Sequence, residues 1–296
     1  MPPVSVPILL EHLANGLVVG AYYTTLALGL SLIFGLGGVI NLAHGAFYAL
    51  GAYLALEAQR LAGFGGALVL SPLLVALIGM AIETAFLRRL YRGDPLLGLL
   101  FTFGLAMVGE QAVRIIWGAS GHPFQIPQAL RGFVTFGDFV YSRYRLVVIA
   151  VTALAIAGLW VALEKTPWGM VVRAGTRDAE MVRALGISLR PFMTAVFGVG
   201  VALAGLAGAL SAPLAGIYPA MGNEIGTAAF VVVVIGGLGS FWGPVIAGLL
   251  VGLIRAVTVL FWPPAAEASM YALMAFVLLV RPRGLMGERW VEFGAE

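Results

Sequence analysis

Asn41 and His44 are the polar side chains best placed to do chemistry in this sequence, because both lie in an apolar stretch far from any charged residue. They are three residues apart, so on a helix they would share one face. A buried carboxamide or imidazole is costly unless it is hydrogen-bonded. Two interpretations follow, either struts between helices or groups that contact a passing solute. His12 and His122 lie elsewhere in the chain, so we expect no metal site at His44.

The ionisable residues within apolar segments fall into local pairs. Glu110 precedes Arg114 by four residues, which is the order that favours an ion pair within one helix. Glu83 lies close to Arg88 near the end of an apolar run, which predicts pairing or extension towards the membrane surface. Arg255, just before a Trp-Pro-Pro corner, is expected to extend outward to that surface.

Enzyme chemistry has little support in the residues. The chain has no cysteine, which excludes disulfides, thiolate catalysis and iron–sulfur clusters. Its only lysine, Lys165, is not part of a phosphate-binding Gly-x-x-x-x-Gly-Lys loop, so we expect no ATP hydrolysis by this chain. A serine hydrolase that uses Ser240 with His44 is an alternative, and it rests only on two residue types in Gly-rich surroundings.

The elements that must hold these residues lie in lipid. The chain has 296 residues, of which 61% are hydrophobic and 10% charged, with a mean hydropathy of +1.00. Soluble domains carry roughly 25% charged residues, so a water-exposed globular protein is excluded. Its 40 glycines show no collagen-like period and indicate close helix contacts and interrupted helices. The net charge of +3 is too small and scattered for a nucleic-acid surface.

Charge-free runs of about 20 residues predict membrane-spanning helices. We therefore predict an all-α integral membrane protein, a single polytopic helical bundle of residues 1–296 with eight or nine spans and interrupted helices. The predicted spans are two within 12–56, separated at Gly35–Gly38, then 61–82, 95–117, 146–163, 191 to about 210, a short half-helix at 227–235, a helix ending near Phe261, and 268–280.

The basic residues predict the orientation of the bundle, since loops rich in Lys and Arg stay in the cytoplasm. They cluster at 88–92, 164–190 and 281–289. We expect these segments inside the cell, together with the C-terminus, and the loop 118–145 outside. That loop has a Gly137-Asp138 turn between aromatic segments, which predicts a small β-hairpin. The N-terminus would lie outside if there are nine spans.

Two Gly- and Pro-rich interruptions break the apolar helices, at 35–45 and at 213–243. Irregular backbone at membrane depth must lie inside the protein or beside a watery cavity, and paired interruptions are typical of solute paths. The predicted path is mostly apolar and is lined by Asn41, His44, Tyr218, Asn223 and Glu224. The alternative is that the glycines mark helix contacts, as the pairs Gly16/Gly20, Gly239/Gly243 and Gly248/Gly252 allow.

The loop 164–190 contains a predicted short helix. Thr176 is its expected N-cap, Asp178 and Glu180 suit its N-terminal half, and Gly186 is expected to end it. Its apolar stripe consists of Ala179, Met181, Val182 and Leu185. A helix of about three turns is unstable alone, so it should dock on the protein's own surface or in the groove of a partner.

Three segments together resemble a known family. They are Gly-Leu-Gly-Gly-Val-Ile-Asn-Leu-Ala-His-Gly (Gly35–Gly45, continuing to Tyr53), the loop 164–190, and Leu-Leu-Val-Arg-Pro-Arg-Gly-Leu-Met-Gly (Leu278–Gly287). The chain resembles the permease subunits of branched-chain amino acid ABC importers, of the LivH type. The resemblance implies a bacterial inner-membrane permease that pairs with a second, homologous permease. It also implies two cytoplasmic ATPases that use the ATP, an extracytoplasmic amino-acid-binding protein, and no cofactor on this chain.

The resemblance further implies that the loop 164–190 couples the permease to the ATPases. The family's coupling pattern, Glu-Ala-Ala-x-x-x-Gly, matches here at Glu180 and Gly186, while Met181 and Val182 stand in place of the alanines. The implied coupling residues are Asp178, Glu180, Met181, Val182, Arg183, Leu185 and Gly186. Two alternatives stay open: an ABC permease for another small solute, and an ion-coupled secondary transporter that titrates Glu110, Glu224 or His44.

Overall fold

A computed structural model of the chain describes residues 6–91, 93–136 and 139–287. The elements in these ranges are α1 (Val6–Gly37), α2 (His44–Ile82), α3 (Arg88–Leu90), α4 (Pro95–Trp117), β1 (Phe133–Phe136), β2 (Phe139–Ser142), α5 (Arg143–Lys165), α6 (Pro167–Arg177), α7 (Ala179–Ala184), α8 (Arg190–Ala215), α9 (Met221–Gly236), α10 (Trp242–Phe261) and α11 (Ala266–Val280). A π-helical turn, Glu83–Leu87, joins α2 to α3. Arg92, the Gly137-Asp138 turn and Arg289, which figured in the predictions, lie outside the described residues.

Seven helical stretches in the described residues are long and apolar enough to cross a membrane, and α9 is a shorter apolar helix. They are Ile8–Gly37, His44–Leu90, Pro95–Trp117, Arg143–Lys165, Arg190–Ala215, Trp242–Phe261 and Pro263–Val280. The prediction of an all-α polytopic bundle with interrupted helices is confirmed.

The longest stretch, His44–Leu90, is a helical hairpin rather than one rod. Gly63 leaves helical geometry within α2, with φ at +68°. The Ser71 hydroxyl donates to the Gly51 carbonyl at 2.6 Å, although a straight helix would separate these residues by about 30 Å. The halves of α2 on either side of Gly63 are therefore antiparallel neighbours. They correspond to the second and third predicted spans.

α1 and α8 form the centre of the bundle, while α4, α5 and α11 leave most of their apolar surface exposed. α8 packs between the two halves of α2. A Cβ on Gly51 would lie 2.3 Å from the Gly205 Cα, and a Cβ on Gly205 would lie 2.9 Å from the Val75 Cγ2 on the other half. Glycine thus lets three helices approach one another at backbone distance.

α1 and α10 pack through the predicted glycine contacts. A Cβ on Gly20 would lie 3.0 Å from the Gly248 carbonyl oxygen. A Cβ on Gly16 would lie 2.9 Å from the Gly252 carbonyl oxygen. The pairs Gly16/Gly20 and Gly248/Gly252 therefore face each other. Of the third predicted pair, Gly243 is a contact glycine, since a Cβ on it would lie 2.1 Å from the Gly236 carbonyl oxygen, but Gly239 is not. Gly239 has φ at +79° in the loop before α10, where the chain needs a left-handed residue.

Alanine at Gly252 tests this packing. Its Cβ would lie 2.4 Å from both the Gly16 carbonyl oxygen and the Gly20 amide nitrogen, so α1 and α10 would have to separate. We expect Gly252→Ala to lower the free energy of unfolding by about 1–3 kcal/mol, as overpacking does. The measurement is reversible unfolding in detergent micelles.

Gly158→Ala is the matched control, because a Cβ at this position in α5 meets no heavy atom within 4 Å. It should be neutral or stabilise by up to about 1 kcal/mol, since alanine is the better helix former. Equal stability of the two variants would contradict close packing between α1 and α10.

The basic residues of the predicted inner loops gather at one end of the bundle, the basic end. They are Arg88, Arg89, Lys165, Arg173, Arg177, Arg183, Arg190, Arg281 and Arg283. Here the C-terminal segment closes on α9, with the Leu285 and Met286 amides donating to the Ile235 and Gly236 carbonyls at 2.8 and 2.9 Å. The opposite end, the hairpin end, carries the predicted hairpin, in which β1 and β2 pair antiparallel.

α8 extends further than predicted, to Ala215 instead of about Leu210. Pro213 does not end the helix because it lies in the last turn, where one lost hydrogen bond is tolerated. The Tyr144 hydroxyl donates to the Leu210 carbonyl at 2.7 Å and adds a hydrogen bond in this region. Gly216, with φ at +77°, then ends the helix.

Candidate functional site

The two predicted interruptions meet inside the bundle. α1 ends at Gly37, the backbone is irregular up to Ala43, and α2 begins at His44. α9 begins at Met221, and its first turn crosses the first turn of α2. A Cβ on Gly45 would lie 2.0 Å from the Gly222 carbonyl oxygen, so only glycine permits this crossing. The N-terminal ends of two helices therefore lie side by side.

A cavity of about 710 Å³ lies beside the crossing, between α2, α4 and α9; we call it the crossing cavity. Three of the five residues predicted to line a solute path, Asn41, His44 and Asn223, border it. The lining of the cavity also includes Leu30, Phe103, Met107, Glu110, Arg114 and Phe230. The structure thus brings together residues from widely separated parts of the chain.

His44 and Asn41 are buried, with 2% and 1% of their surfaces exposed, and each has one polar atom bonded. The His44 Nε2 lies 3.0 Å from the Leu26 carbonyl oxygen. A carbonyl only accepts, so Nε2 carries the proton, and in the neutral ring Nδ1 is an acceptor. The Asn41 Oδ1 accepts from the Ala43 amide at 3.2 Å, which leaves Nδ2 as a donor. His44 Nδ1 and Asn41 Nδ2 have no hydrogen-bond partner within the described structure.

The predicted ion pair within α4 is present, with the Arg114 Nη2 lying 2.6 Å from the Glu110 Oε1. The Asn223 amide donates to the other carboxylate oxygen, Oε2, and so connects α9 to α4. This second contact was not predicted, because it joins residues 113 positions apart and has no local sequence signal. The only hint was the presence of a charged residue within a predicted span.

Tyr218 and Glu224 border a neighbouring cavity of about 310 Å³, on the other side of α9. The Tyr218 hydroxyl donates to the Glu224 Oε2. Burial, together with this hydrogen bond, raises the pKa of Tyr218 to about 12, so the hydroxyl stays protonated at neutral pH.

Arg255 was expected to extend outward, but its Nη1 donates to the Tyr23 hydroxyl at 2.8 Å. An inward hydrogen bond replaces water contacts for this guanidinium.

Ser240 and His44 do not form a catalytic pair in the described structure. Ser240 lies at the basic end, where its Oγ donates to the Gly237 carbonyl at 3.0 Å. It borders a separate cavity of about 340 Å³ with Trp160 and Arg173, whereas His44 borders the crossing cavity.

The segment predicted to couple to partners forms two helices, α6 and α7. α6 lies on the bundle, where a Cβ on Gly175 would contact the Leu36 and Leu189 side chains at 2.9 and 3.0 Å. The N-cap of α7 is Asp178, whose Oδ1 accepts from the Met181 amide at 2.8 Å. The prediction of Thr176 as N-cap is wrong, because α6 runs to Arg177 and the Thr176 hydroxyl donates to the Val172 carbonyl instead.

Gly186 ends α7, as predicted, through a double hydrogen bond. Its amide donates to the Arg183 carbonyl at 2.9 Å, and the Ile187 amide donates to the Val182 carbonyl at 3.3 Å. This is the Schellman arrangement, which requires the left-handed φ of +81° found at Gly186. The helix is therefore fixed at both ends despite having only six residues.

α7 presents apolar side chains to solvent at the basic end. Met181 and Leu185 are 57% and 71% exposed, whereas Val182 is buried. Glu180 and Arg183 are also exposed. Of the predicted apolar stripe, then, one residue holds α7 to the protein, and Met181 and Leu185 extend away from it, which suits contact with another molecule.

The start of α8, directly after this segment, is tied to the end of α2. Glu83 is fully buried, and its Oε2 lies 3.2 Å from the Arg88 Nη2, as the predicted pairing required. The Thr194 hydroxyl of α8 donates to the same oxygen at 2.6 Å. Hydrogen bonds therefore join the start of α8 to the turn that follows α2.

An interrupted-helix bundle with a cavity at the crossing and a protruding helix at one end is an architecture that suits a membrane permease. The sequence matches the family of the branched-chain amino acid transport system permease component over residues 12–280, and the chain belongs to that family.

Curated relatives match along nearly the whole chain. The high-affinity branched-chain amino acid transport system permease protein BraD of Pseudomonas aeruginosa is 31% identical over 96% of this chain and 97% of its own length. LivH of Escherichia coli is 29% identical over 96% of this chain and 97% of its own length. LivM of Escherichia coli is 30% identical over 89% of this chain and 67% of its own length.

Proposed function

We propose that this chain is the membrane-spanning permease subunit of an ATP-driven importer for branched-chain amino acids. The observation that carries the proposal is the match to BraD and LivH over 96% of the chain, in a protein whose interrupted segments meet beside a mostly apolar cavity that Asn41, His44 and Asn223 border. Affinity for the substrate resides in a separate binding protein, and this chain provides the path and its coupling to ATP.

The proposed partners are two ATPase subunits, a second homologous permease and an extracytoplasmic amino-acid-binding protein. Matches to both LivH and LivM favour a pair of related permeases. We place the protein in the bacterial inner membrane with the basic end and the C-terminus in the cytoplasm, since Lys and Arg are retained on that side. ATP is used by the partners, and no cofactor or catalytic residue is assigned to this chain.

The proposed path runs through the crossing cavity, along Asn41, His44 and Asn223, with Tyr218 and Glu224 on the other side of α9. The proposed coupling element is α7 with its flanking residues. It comprises Asp178, Glu180, Met181, Val182, Arg183, Leu185 and Gly186. A short helix with fixed ends, held in the groove of an ATPase, can act as a rigid lever for nucleotide-driven closure.

An ion-coupled transporter is less well supported. Glu110 is paired with Arg114 and Asn223, and Glu224 accepts from Tyr218, so both acids already have partners in this conformation. The alternative of another small solute is settled by a specificity measurement. In proteoliposomes with the complete set of partners and internal ATP, labelled leucine, isoleucine and valine should accumulate, and ribose and urea should not. Uptake of one of the latter two, without leucine uptake, would contradict the assignment.

A further inference from the structure

We propose that the Glu110 carboxylate receives the α-ammonium group of the passing amino acid, and that Arg114 occupies this position while the cavity holds no substrate. The inference rests on the proposed function. It adds Glu110 as a residue that recognises one charged group of the zwitterionic amino acid. Arg114 is then a built-in cation that the substrate displaces.

The charges of the crossing cavity support this assignment. Glu110 carries the only carboxylate and Arg114 the only guanidinium or ammonium group among the described residues that line it. The Glu110 side chain is 21% exposed and that of Arg114 is 41% exposed, so both are reachable from the cavity. A cationic group that enters this cavity can therefore pair with one carboxylate, that of Glu110.

The carboxylate of Glu110 is oriented but not saturated. Oε1 accepts from Arg114 and Oε2 accepts from the Asn223 amide. A carboxylate offers about four acceptor positions, so each oxygen retains capacity for an ammonium hydrogen. Asn223 is neutral, so it can hold the carboxylate in place while the cation is exchanged.

Arg114 is suited to displacement. Its ion pair lies within one helix, a class of pair that contributes little when partly exposed. Its long side chain can move towards the hairpin end while its backbone stays in the last turn of α4. An ammonium group that arrives therefore replaces one cation with another, and the Glu110 carboxylate is not left unpaired.

The other groups of the cavity match the rest of an amino acid. The free Asn41 Nδ2 is a donor for a carboxylate, next to the first turn of α9. The free His44 Nδ1 is a second acceptor for an ammonium. Apolar surface for a branched side chain comes from Leu30, Phe103, Met107 and Phe230. Asn41 and His44, which border the cavity, thus each retain hydrogen-bonding capacity in addition to that of Glu110.

The test compares three probes that differ only in their charged groups, namely leucine, 3-methylbutylamine and 4-methylpentanoate. Saturation-transfer NMR is recorded on the complete permease–ATPase complex in lipid nanodiscs without the binding protein. Leucine and the amine should give signals with the wild type. Glu110→Gln should lower both by about tenfold or more, because the ammonium group loses the one carboxylate that lines the cavity. Glu57→Gln is the matched control, because Glu57 pairs with Arg60 outside the cavity.

Arg114→Gln separates recognition from a structural role. If Arg114 is a displaceable cation, its removal strengthens the amine signal. If the pair only supports the fold, Arg114→Gln weakens that signal as much as Glu110→Gln does, and the inference is overturned. An unchanged amine signal in Glu110→Gln also overturns it. Glu110→Asp, which keeps the charge, should retain part of the signal.

Wild-type uptake of leucine is measured in parallel. Its absence in the complete system would contradict the proposed function, whereas the amine measurement reports on Glu110 alone.

Discussion

Replacement of Leu185 by aspartate should lower leucine uptake by about tenfold or more and leave the bundle folded. Leu185 is the C-cap of α7 and is 71% exposed, so its side chain contributes little to the stability of this chain. If it occupies an apolar groove of an ATPase, a carboxylate there must be desolvated without a partner. The measurement is uptake into proteoliposomes, together with ATP hydrolysis by the same complex.

Leu185→Met is the matched variant, because it keeps an apolar side chain of similar volume. It should retain most of the uptake. A second variant, Gly186→Ala, should uncouple ATP hydrolysis from uptake, because alanine is strained at the φ of +81° that ends α7. Full uptake by Leu185→Asp would contradict the role of α7 in coupling.

His44 allows its structural and functional roles to be separated by two substitutions. His44→Leu removes the hydrogen bond to the Leu26 carbonyl and should lower the free energy of unfolding by about 1–3 kcal/mol. His44→Gln keeps an amide donor near the position of Nε2 but lacks the Nδ1 acceptor, so its stability should stay within about 1 kcal/mol of the wild type. Uptake should fall about tenfold in both variants if the free Nδ1 contacts the solute.

Unfolding in detergent and uptake in proteoliposomes must both be measured. Wild-type uptake by His44→Gln would mean that His44 serves only as a strut between α1 and α2. A loss of stability in His44→Gln equal to that in His44→Leu would mean that the Leu26 hydrogen bond is not what stabilises this region.

Features with local causes could be predicted from the sequence. α4 begins at Pro95, directly after the Asp94 N-cap, and its C-cap is Gly118, so the predicted span 95–117 matches the helix. The hairpin in the loop 118–145 followed from its turn and aromatic residues. The two interruptions could be located because glycine and proline punctuate apolar runs.

Features that depend on contacts between distant segments could not be predicted. The Asn223 amide reaches Glu110 only because α9 and α4 face the same cavity. Tyr218 and Glu224 lie in a different cavity from His44, because α9 stands between them. The break between α6 and α7 was also missed, since Thr176 and Asp178 are both plausible caps and only the packing of α6 against α1 decides between them.

Dependence of uptake on ATP is the most direct test of the proposed permease subunit. Proteoliposomes should contain this chain, its partner permease and the ATPases, with ATP enclosed on the ATPase side and leucine-loaded binding protein on the other. Leucine should then accumulate above its external concentration, and omission of ATP, the ATPases or the binding protein should abolish accumulation. Sustained accumulation by this chain alone, driven by a proton or sodium gradient, would contradict the proposal.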